Sequence, residues 1–263
     1  MTHQDFTELL WHKARELYRD MPWRNDTRPY YVLVSELMLQ QTQVDRVIPK
    51  FQAFVARFPD EKVLAEAPLA DVLRQWQGLG YNRRAKYLHQ AAKAIVQLGE
   101  FPNDQEGLMT LPGVGKNTAG AIMAYAYNQP VVFIETNVRA VYIHHFFASS
   151  DQVDDKDIQL QLEQTIDHEN PRQFYWALMD YGSWLKKQGI KPSRSRHYKK
   201  QAPLKGSIRE VRGQIVAALS RTDMTDQELQ HMLDADHRYQ PAVEGLVKDG
   251  LVTVRNERLH LTK

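Results

Sequence analysis

The stretch LPGVGKNTAGAIMAYAYNQPVVFIETNVR, residues 111–139, decides how the rest of the chain is read. Its first five residues, Leu111-Pro112-Gly113-Val114-Gly115, set two glycines two positions apart behind a proline. Glycine supplies the positive-φ backbone that a tight turn needs and leaves no side chain to block close approach. Thr118, Ala119, Ala121, Ile122, Ala124 and Tyr125 follow at helical spacing, so the turn runs straight into a helix N-terminus. Such a terminus offers unpaired N–H groups and the positive end of a dipole, which suits one phosphate. Gly113, Val114, Gly115, Lys116 and Thr118 are the candidate phosphate contacts. An apolar run, Val131 to Ile134, then delivers one acid, Glu135, into Thr136-Asn137-Val138-Arg139. A phosphate-gripping turn and a placed carboxylate together point to chemistry on a nucleic-acid backbone or base. Taken alone, the turn is a common one. A P-loop is excluded because GxxxxGK[ST] is absent. A dinucleotide fingerprint is excluded because no strand leads into the turn and the third glycine is missing.

Composition sets wider bounds. A chain of 263 residues with 43% hydrophobic and 25% charged residues is long enough for one large domain or two and fits a globular protein. No apolar run approaches the about 18 residues of a membrane span. The N-terminus lacks a signal-peptide apolar core, so the cytoplasm is the expected location. The chain contains no cysteine, which excludes disulfides, thiolate nucleophiles and cysteine-held iron–sulfur clusters. The histidines show no metal-ligand spacing such as HExxH, so no metal site is expected. Net charge is only +2, but Lys186, Lys187, Lys191, Arg194, Arg196, Lys199, Lys200 and Lys205 fall in one segment without an acid. That segment reads either as a solvated basic linker or as a phosphate-contacting strip.

Periodicity predicts helices over 5–19, 30–41 and 42–58, then short helices at 64–67 and 69–76 broken at Pro68. Met21 to Pro29 reads as a loop. Gly78-Leu79-Gly80-Tyr81 is a second glycine turn before a basic helix over 83–98. Further helices are expected at 103–110, 155–168 and 171–186. Strand patterns are nearly absent up to residue 205, so that region reads as an all-helical domain. Residues 206–263 read as three helices followed by a hairpin over 251–261, the order of a winged helix. Arg238, Tyr239, Arg255 and Arg258 are the candidate contact residues there.

WRND (23–26), YYVLVSELMLQQTQVDRVIPKF (30–51), WQGLGYNRRAKYLHQAA (76–92) and LPGVGKNTAGAI (111–122) resemble the helix-hairpin-helix DNA glycosylases. Within them the sequence is most similar to the MutY-type adenine glycosylases, over roughly residues 20–185. The resemblance implies two helical lobes, about 28–130 and 1–27 with 131–205, holding duplex DNA, followed by the winged helix. It implies a monomeric base-excision enzyme that hydrolyses the N-glycosidic bond of a flipped, mispaired base, adenine opposite guanine or 8-oxoguanine. Glu36 matches the general acid, and desolvation on an apolar helix would raise its pKa. Glu135 falls where the family carries an aspartate, and is expected to stabilise the oxocarbenium-like sugar. Helix capping is the alternative role for Glu135. Gln40 and Tyr81, with Gln41 beside them, match residues that fill or wedge the base stack. Trp23 and Arg24 match positions lining the base pocket.

Three departures from the family refine this picture. Asn117 stands where bifunctional relatives carry a Schiff-base lysine, and Lys116 is turned by about 100° from it on a helix. A monofunctional enzyme without a β-lyase step is therefore expected. Trp176 stands where the adenine enzymes place Glu or Gln, and an indole has a donor but no acceptor. Thymine or uracil opposite guanine is accordingly the alternative substrate, and a non-catalytic DNA-binding protein is the alternative class. Where the family carries four cysteines the chain has KKQGIKPSRSRHYKKQAP, 186–203. This places it with the cluster-free members, with no cofactor beyond a monovalent cation on the hairpin carbonyls.

Overall fold

The computed structural model describes residues 1–198 and 202–263; Lys199 and Lys200 of the basic segment lie outside the described residues. In chain order the helices are α1 (His3–Leu17), α2 (Pro22–Asn25), α3 (Pro29–Leu39), α4 (Val44–Arg57), α5 (Glu61–Glu66), α6 (Leu69–Trp76), α7 (Arg83–Leu98), α8 (Gln105–Thr110), α9 (Lys116–Tyr125), α10 (Thr136–Phe146), α11 (Asp155–Thr165) and α12 (Pro171–Lys187). Then come α13 (Ile208–Leu219), β1 (Met224–Thr225), α14 (Asp226–Met232), α15 (Tyr239–Lys248), β2 (Val252–Arg255) and β3 (Arg258–Leu261). The segment expected as a loop between Met21 and Pro29 contains one helical turn, α2, because Pro22 at its first position presets φ. The apolar run before Glu135 is extended but joins no sheet.

The chain divides into two compact units. Residues 1–32, 102–110 and 114–200 form one; residues 33–101, 111–113 and 201–263 form the other. The C-terminal module thus groups with the α4–α7 helices rather than standing alone.

In the first unit α12 is the central helix. Phe174, Tyr175, Leu178 and Leu185 lie on it, fully buried. Phe6 and Leu10 of α1 and Val138, Val141 and Tyr142 of α10 are buried with them. Gly182 lets α10 come close: a Cβ there would lie 2.5 Å from the Asn137 carbonyl oxygen.

In the second unit Val47, Phe51 and Phe54 of α4, Trp76 of α6 and Leu88 and Ile95 of α7 form the core. Its centre is one guanidinium. Arg84, 6% exposed, sends Nη1 to the carbonyls of Leu37, Met38 and Gln40 at 2.7, 2.9 and 2.6 Å. Nη2 donates to Thr42 Oγ1 and to the Leu79 and Gly80 carbonyls at 3.1, 3.0 and 3.0 Å. The last carbonyls of a helix have no partner inside it, and they carry the negative end of the dipole. Arg84 satisfies that end of α3 and ties it to the 78–81 turn. Burial pushes the guanidinium pKa down to about 10.

The C-terminal module has a three-stranded antiparallel sheet in the order β1-β3-β2, with Val252 opposite Leu261 and Met224 opposite Leu259. Strand β1 is an addition to the expected hairpin, formed by the residues just before the capping box of α14.

Two stability results are expected. Arg84→Lys cannot span the six oxygens, and leaving carbonyls unpaired at about 1–3 kcal/mol each, not additively, lowers unfolding free energy by about 3–4 kcal/mol in urea titration. Gly182→Ala forces backbone apart and costs about 1–3 kcal/mol. In contrast, Gly213→Ala, whose Cβ would meet nothing within 4 Å, adds about 0.5–1 kcal/mol.

Candidate active site

Glu135 takes the N-cap position of α10, but its side chain makes no capping bond. Instead Glu135 Oε1 accepts from Asn137 Nδ2 at 3.3 Å. A cap would bond a backbone N–H of the first turn, so capping is not its role. The segment that carries it is pinned on both sides. Asn117 Nδ2, in the first turn of α9, donates to the Ile134 carbonyl at 2.8 Å. Tyr175 Oη of α12 accepts from the Phe133 N–H at 3.2 Å and donates to the Val131 carbonyl at 2.8 Å. The Phe133 and Tyr175 rings stack at 4.1 Å. Gly182 completes the support by admitting the Asn137 backbone.

Burial raises the Glu135 pKa, against the opposing pull of Asn137, Lys186, Arg139 and Arg19. Lys186 is desolvated in turn and its pKa falls, with Glu135 drawing it the other way. Asn137 Oδ1 is buried without a hydrogen-bond partner. A carboxylate held rigid and poorly hydrated stabilises a positive charge that develops beside it more strongly than a hydrated one would.

Glu36 is half-buried on α3, where Leu33, Val34, Leu37 and Met38 are all inaccessible. It is the one acid of that helix. Gln40, one helical turn further on, is half-buried.

Arg24 is 6% exposed, and its guanidinium is committed within the first unit. Nη1 and Nη2 bind the two oxygens of Asp180 at 2.7 and 3.0 Å. Arg19 Nε joins the same carboxylate at 2.6 Å. The Arg24 guanidinium also lies 5.2 Å from the Trp176 ring, so these two predicted pocket residues are neighbours. Trp23 is buried and Trp176 half-buried. Asp180 was not singled out in the sequence, where nothing local marks it as the partner of Arg24 and Arg19.

The hairpin glycines differ in function. Gly113 has φ of +81°, and a Cβ there would lie 2.7 Å from Tyr87 Cβ. Gly115 caps α9, and a Cβ there would meet nothing within 4 Å. Packing requires the first glycine and leaves open space at the second. Lys116 and Asn117 beside it are exposed, Thr118 is half-buried and Val114 is buried.

Gln40, Gln41 and Tyr81 line one cavity of about 380 Å3 in the second unit, together with Arg209 and Arg212 of α13. Gln41 and Tyr81 hold φ of +56° and +48° without being glycine. The Tyr81 ring lies between two guanidinium groups, Arg84 at 5.4 Å and Arg209 at 4.9 Å. Arg209 and Arg212 were missed in the sequence, where nothing links α13 to the 78–81 turn.

Of the expected contact residues in the module, Tyr239 is buried and donates to Asp226 Oδ1 at 2.9 Å. Arg238 pairs with Asp236 and Glu210, and Arg258 with Glu228. These three serve the fold of the module, while Arg255 is exposed. In the basic segment Arg194 holds the Phe147, Ala148 and Ser150 carbonyls, so it terminates α10. Among the described residues no group of three or more His, Asp or Glu could hold a metal ion. No described helix is long and apolar enough to cross a membrane.

A family model described as HhH-GPD superfamily base excision DNA repair protein matches residues 34–167. An adenine DNA glycosylase of Mycobacterium tuberculosis is 34% identical over 280 residues, covering 95% of this chain and 90% of that protein. Another, of Buchnera aphidicola, is 37% identical over 173 residues. That match covers 64% of this chain and 48% of the relative, so the chain spans about half the length of that protein. Among solved structures, a thermostable thymine-DNA glycosylase superposes with a TM-score of 0.64 at 24% identity, covering 69% of this chain and 86% of that one. A trapped endonuclease III–DNA covalent intermediate gives 0.57 at 19%, covering 77% and 91%. At those identities the two structures show a common fold. With its glycine hairpin at 111–115, its SELMLQQTQV helix and these relatives, the chain belongs to the HhH-GPD superfamily of base excision DNA repair proteins.

Proposed function

We propose that this protein is a monofunctional DNA glycosylase that hydrolyses the N-glycosidic bond of adenine mispaired with guanine or 8-oxoguanine in duplex DNA. The observation that carries this reading is the match with an adenine DNA glycosylase along 95% of this chain and 90% of that relative. The surroundings of each carboxylate, taken separately, support it. A base can be attacked at its sugar bond only after it leaves the stack. As the bond from C1′ to the base breaks, its electron pair goes to the base, and Glu36 gives that base a proton. The sugar becomes oxocarbenium-like, and the Glu135 carboxylate stabilises its positive charge. Water then adds to C1′ and gives a proton to the Glu36 carboxylate left by the first step, which restores the acid and leaves an abasic site.

Asn117 has an amide where a lyase needs an amine, and that amide is bonded to the Ile134 carbonyl. It positions the Glu135 segment and forms no imine. Arg24, locked on Asp180, holds Trp176 as a flat wall for the extruded base. The hairpin 111–115, with Lys116 and Thr118, grips a phosphate and takes a monovalent cation on its carbonyls. Residues 206–263 act as a winged-helix module on a monomeric enzyme. One observation favours a second substrate: Trp176 offers a donor but no acceptor, which suits thymine or uracil opposite guanine.

Single-turnover base release, read as alkali-labile sites, tests these assignments on duplexes carrying A opposite 8-oxoguanine, A opposite G, T opposite G and U opposite G. Wild type releases adenine, and Glu36→Gln and Glu135→Gln each lower the rate by about 10²–10⁴-fold. Borohydride traps no covalent adduct. Release of thymine or uracil alone moves the assignment to the second substrate, and no release from any duplex rejects both.

Glu135→Gln also separates function from stability. A carboxyl with a raised folded pKa contributes stability that is full below its unfolded value of about 4.5 and is lost as pH rises through the folded value. At neutral pH the ionised, partly desolvated group is a cost. The variant therefore melts higher than wild type at pH 7, and the gap closes toward pH 4. Equal melting temperatures across that range would show that Glu135 is fully hydrated.

A further inference from the structure

One stripe of α12 follows the Glu135 segment. Tyr175, Met179, Gly182 and Lys186 stand at helical spacing, so all four face one way. Tyr175 holds the backbone of Val131 and Phe133. Met179 Sδ accepts from Asn137 Nδ2 at 3.5 Å. Gly182 lies against the Asn137 backbone. Lys186 is the last member of the stripe and is half-buried, while Lys187 beside it is exposed. The first lysine of the basic segment therefore belongs to the side of α12 that holds the start of α10, and its neighbour does not.

Three cations act on Glu135 from the elements packed around it, Lys186, Arg139 and Arg19. Arg139 of α10 binds both oxygens of Asp155, through Nε at 2.8 Å and Nη2 at 2.6 Å. Arg19, in the loop after α1, binds Asp180 of α12, which also holds Arg24. Each guanidinium thus has a carboxylate of its own, which cancels much of its field at Glu135. The Lys186 ammonium makes no hydrogen bond or ion pair among the described residues. Burial disfavours its charge, and Glu135 favours it. A half-buried ammonium without a bonded partner is a cost unless something uses its charge.

We propose that Lys186 is a positioning residue that acts as the counter-charge of Glu135, holding the carboxylate in its ionised form for the excision reaction from one helical turn beyond the Gly182 contact. The inference rests on the base-excision reading above, in which only the ionised carboxylate stabilises the sugar. An ammonium that is not bonded to Glu135 suits this task better than a bonded guanidinium. Its charge acts through space, whereas a fork of donors would occupy the oxygens that the sugar is to face. Glu135 can then be poorly hydrated without losing its charge to a proton. The basic segment accordingly begins with a residue of the reaction rather than with a linker residue or a phosphate contact.

The test uses the full chain as wild type, Lys186→Met, Lys186→Arg, Glu135→Gln and the double variant Lys186→Met with Glu135→Gln. Methionine removes the charge and keeps a long stem, with Lys186→Gln in its place should it not fold; arginine keeps the charge. The first readout is the melting temperature at pH 7, without DNA. The rise brought by Glu135→Gln is expected to be larger in the Lys186→Met background, where the carboxylate has lost its cation. An equal rise in both backgrounds would overturn the inference. The second readout is single-turnover adenine release at saturating enzyme. Lys186→Met is expected to lose about tenfold more of its rate at pH 5 than at pH 8, and Lys186→Arg to follow wild type. A loss that is equal at both pH values, or that more enzyme restores, would mean that Lys186 meets a phosphate, and would overturn the inference too. Should wild type release no adenine, the excision reading fails by itself. The melting cycle then decides alone whether Lys186 sets the charge of Glu135: a larger rise upholds it and an equal rise rejects it.

Discussion

One buried guanidinium, Arg84, holds six oxygens drawn from the end of α3, the residues after it and the 78–81 turn. A lysine or an apolar side chain could not do this, because the bonds need a fork of donors fixed in one plane. A carboxylate partner would compete for the same donors. The helix end supplies the negative potential in its place, through its last carbonyls. The cost appears as a lowered guanidinium pKa. The return is that α3, with Glu36 on it, ends at a fixed point, and that Gln41 and Tyr81 are held in backbone they would not choose.

The first unit solves a related problem by other means. A carboxylate is to be kept poorly hydrated, and an extended segment has no ladder of its own to hold it. Tyr175 and Asn117 supply the missing backbone partners, and Gly182 removes the side chain that would keep α10 away. Cations are present near Glu135, but burial outweighs them. The carboxylate is thus left under-satisfied, as the role proposed for it requires.

The helices were legible in the sequence because their apolar stripes repeat at 3.6 residues and their ends carry Pro, Gly or capping side chains. The span Arg83–Leu98 falls where its periodicity places it. The hairpin was legible because proline and glycine carry their conformations with them. Side-chain roles were legible only where a motif marked the position. Asp180 on α12 looks like one more polar residue until Arg24 and Arg19 are seen on its two oxygens. Arg84 looked like part of a basic helix face, and Arg209 like a surface residue of a separate module. Each of these roles depends on which distant segment lies opposite, and no local pattern encodes that. The same reason explains Tyr239 and Arg258, which composition offered as DNA contacts and which the module uses for itself.

The residues that violate local rules share a direction. Glu135 is a half-buried acid with a raised pKa, Asn137 Oδ1 is a buried acceptor without a donor, and Gln41 and Tyr81 are left-handed without being glycine. Gly213 opens a helix where alanine would be more stable. If packing were the only constraint, each would be replaced by a residue that relieves it, since single changes of this kind are easy to find. Elsewhere local preference, capping and burial agree, as in the capping boxes of α1, α11 and α14. The exceptions gather at two places, the Glu135 segment and the cavity rim. A sequence that is consistent across levels except at such places keeps its disagreements for a ligand to resolve. For the first place, on the base-excision reading proposed above, that ligand is the positively charged sugar that forms as the base departs.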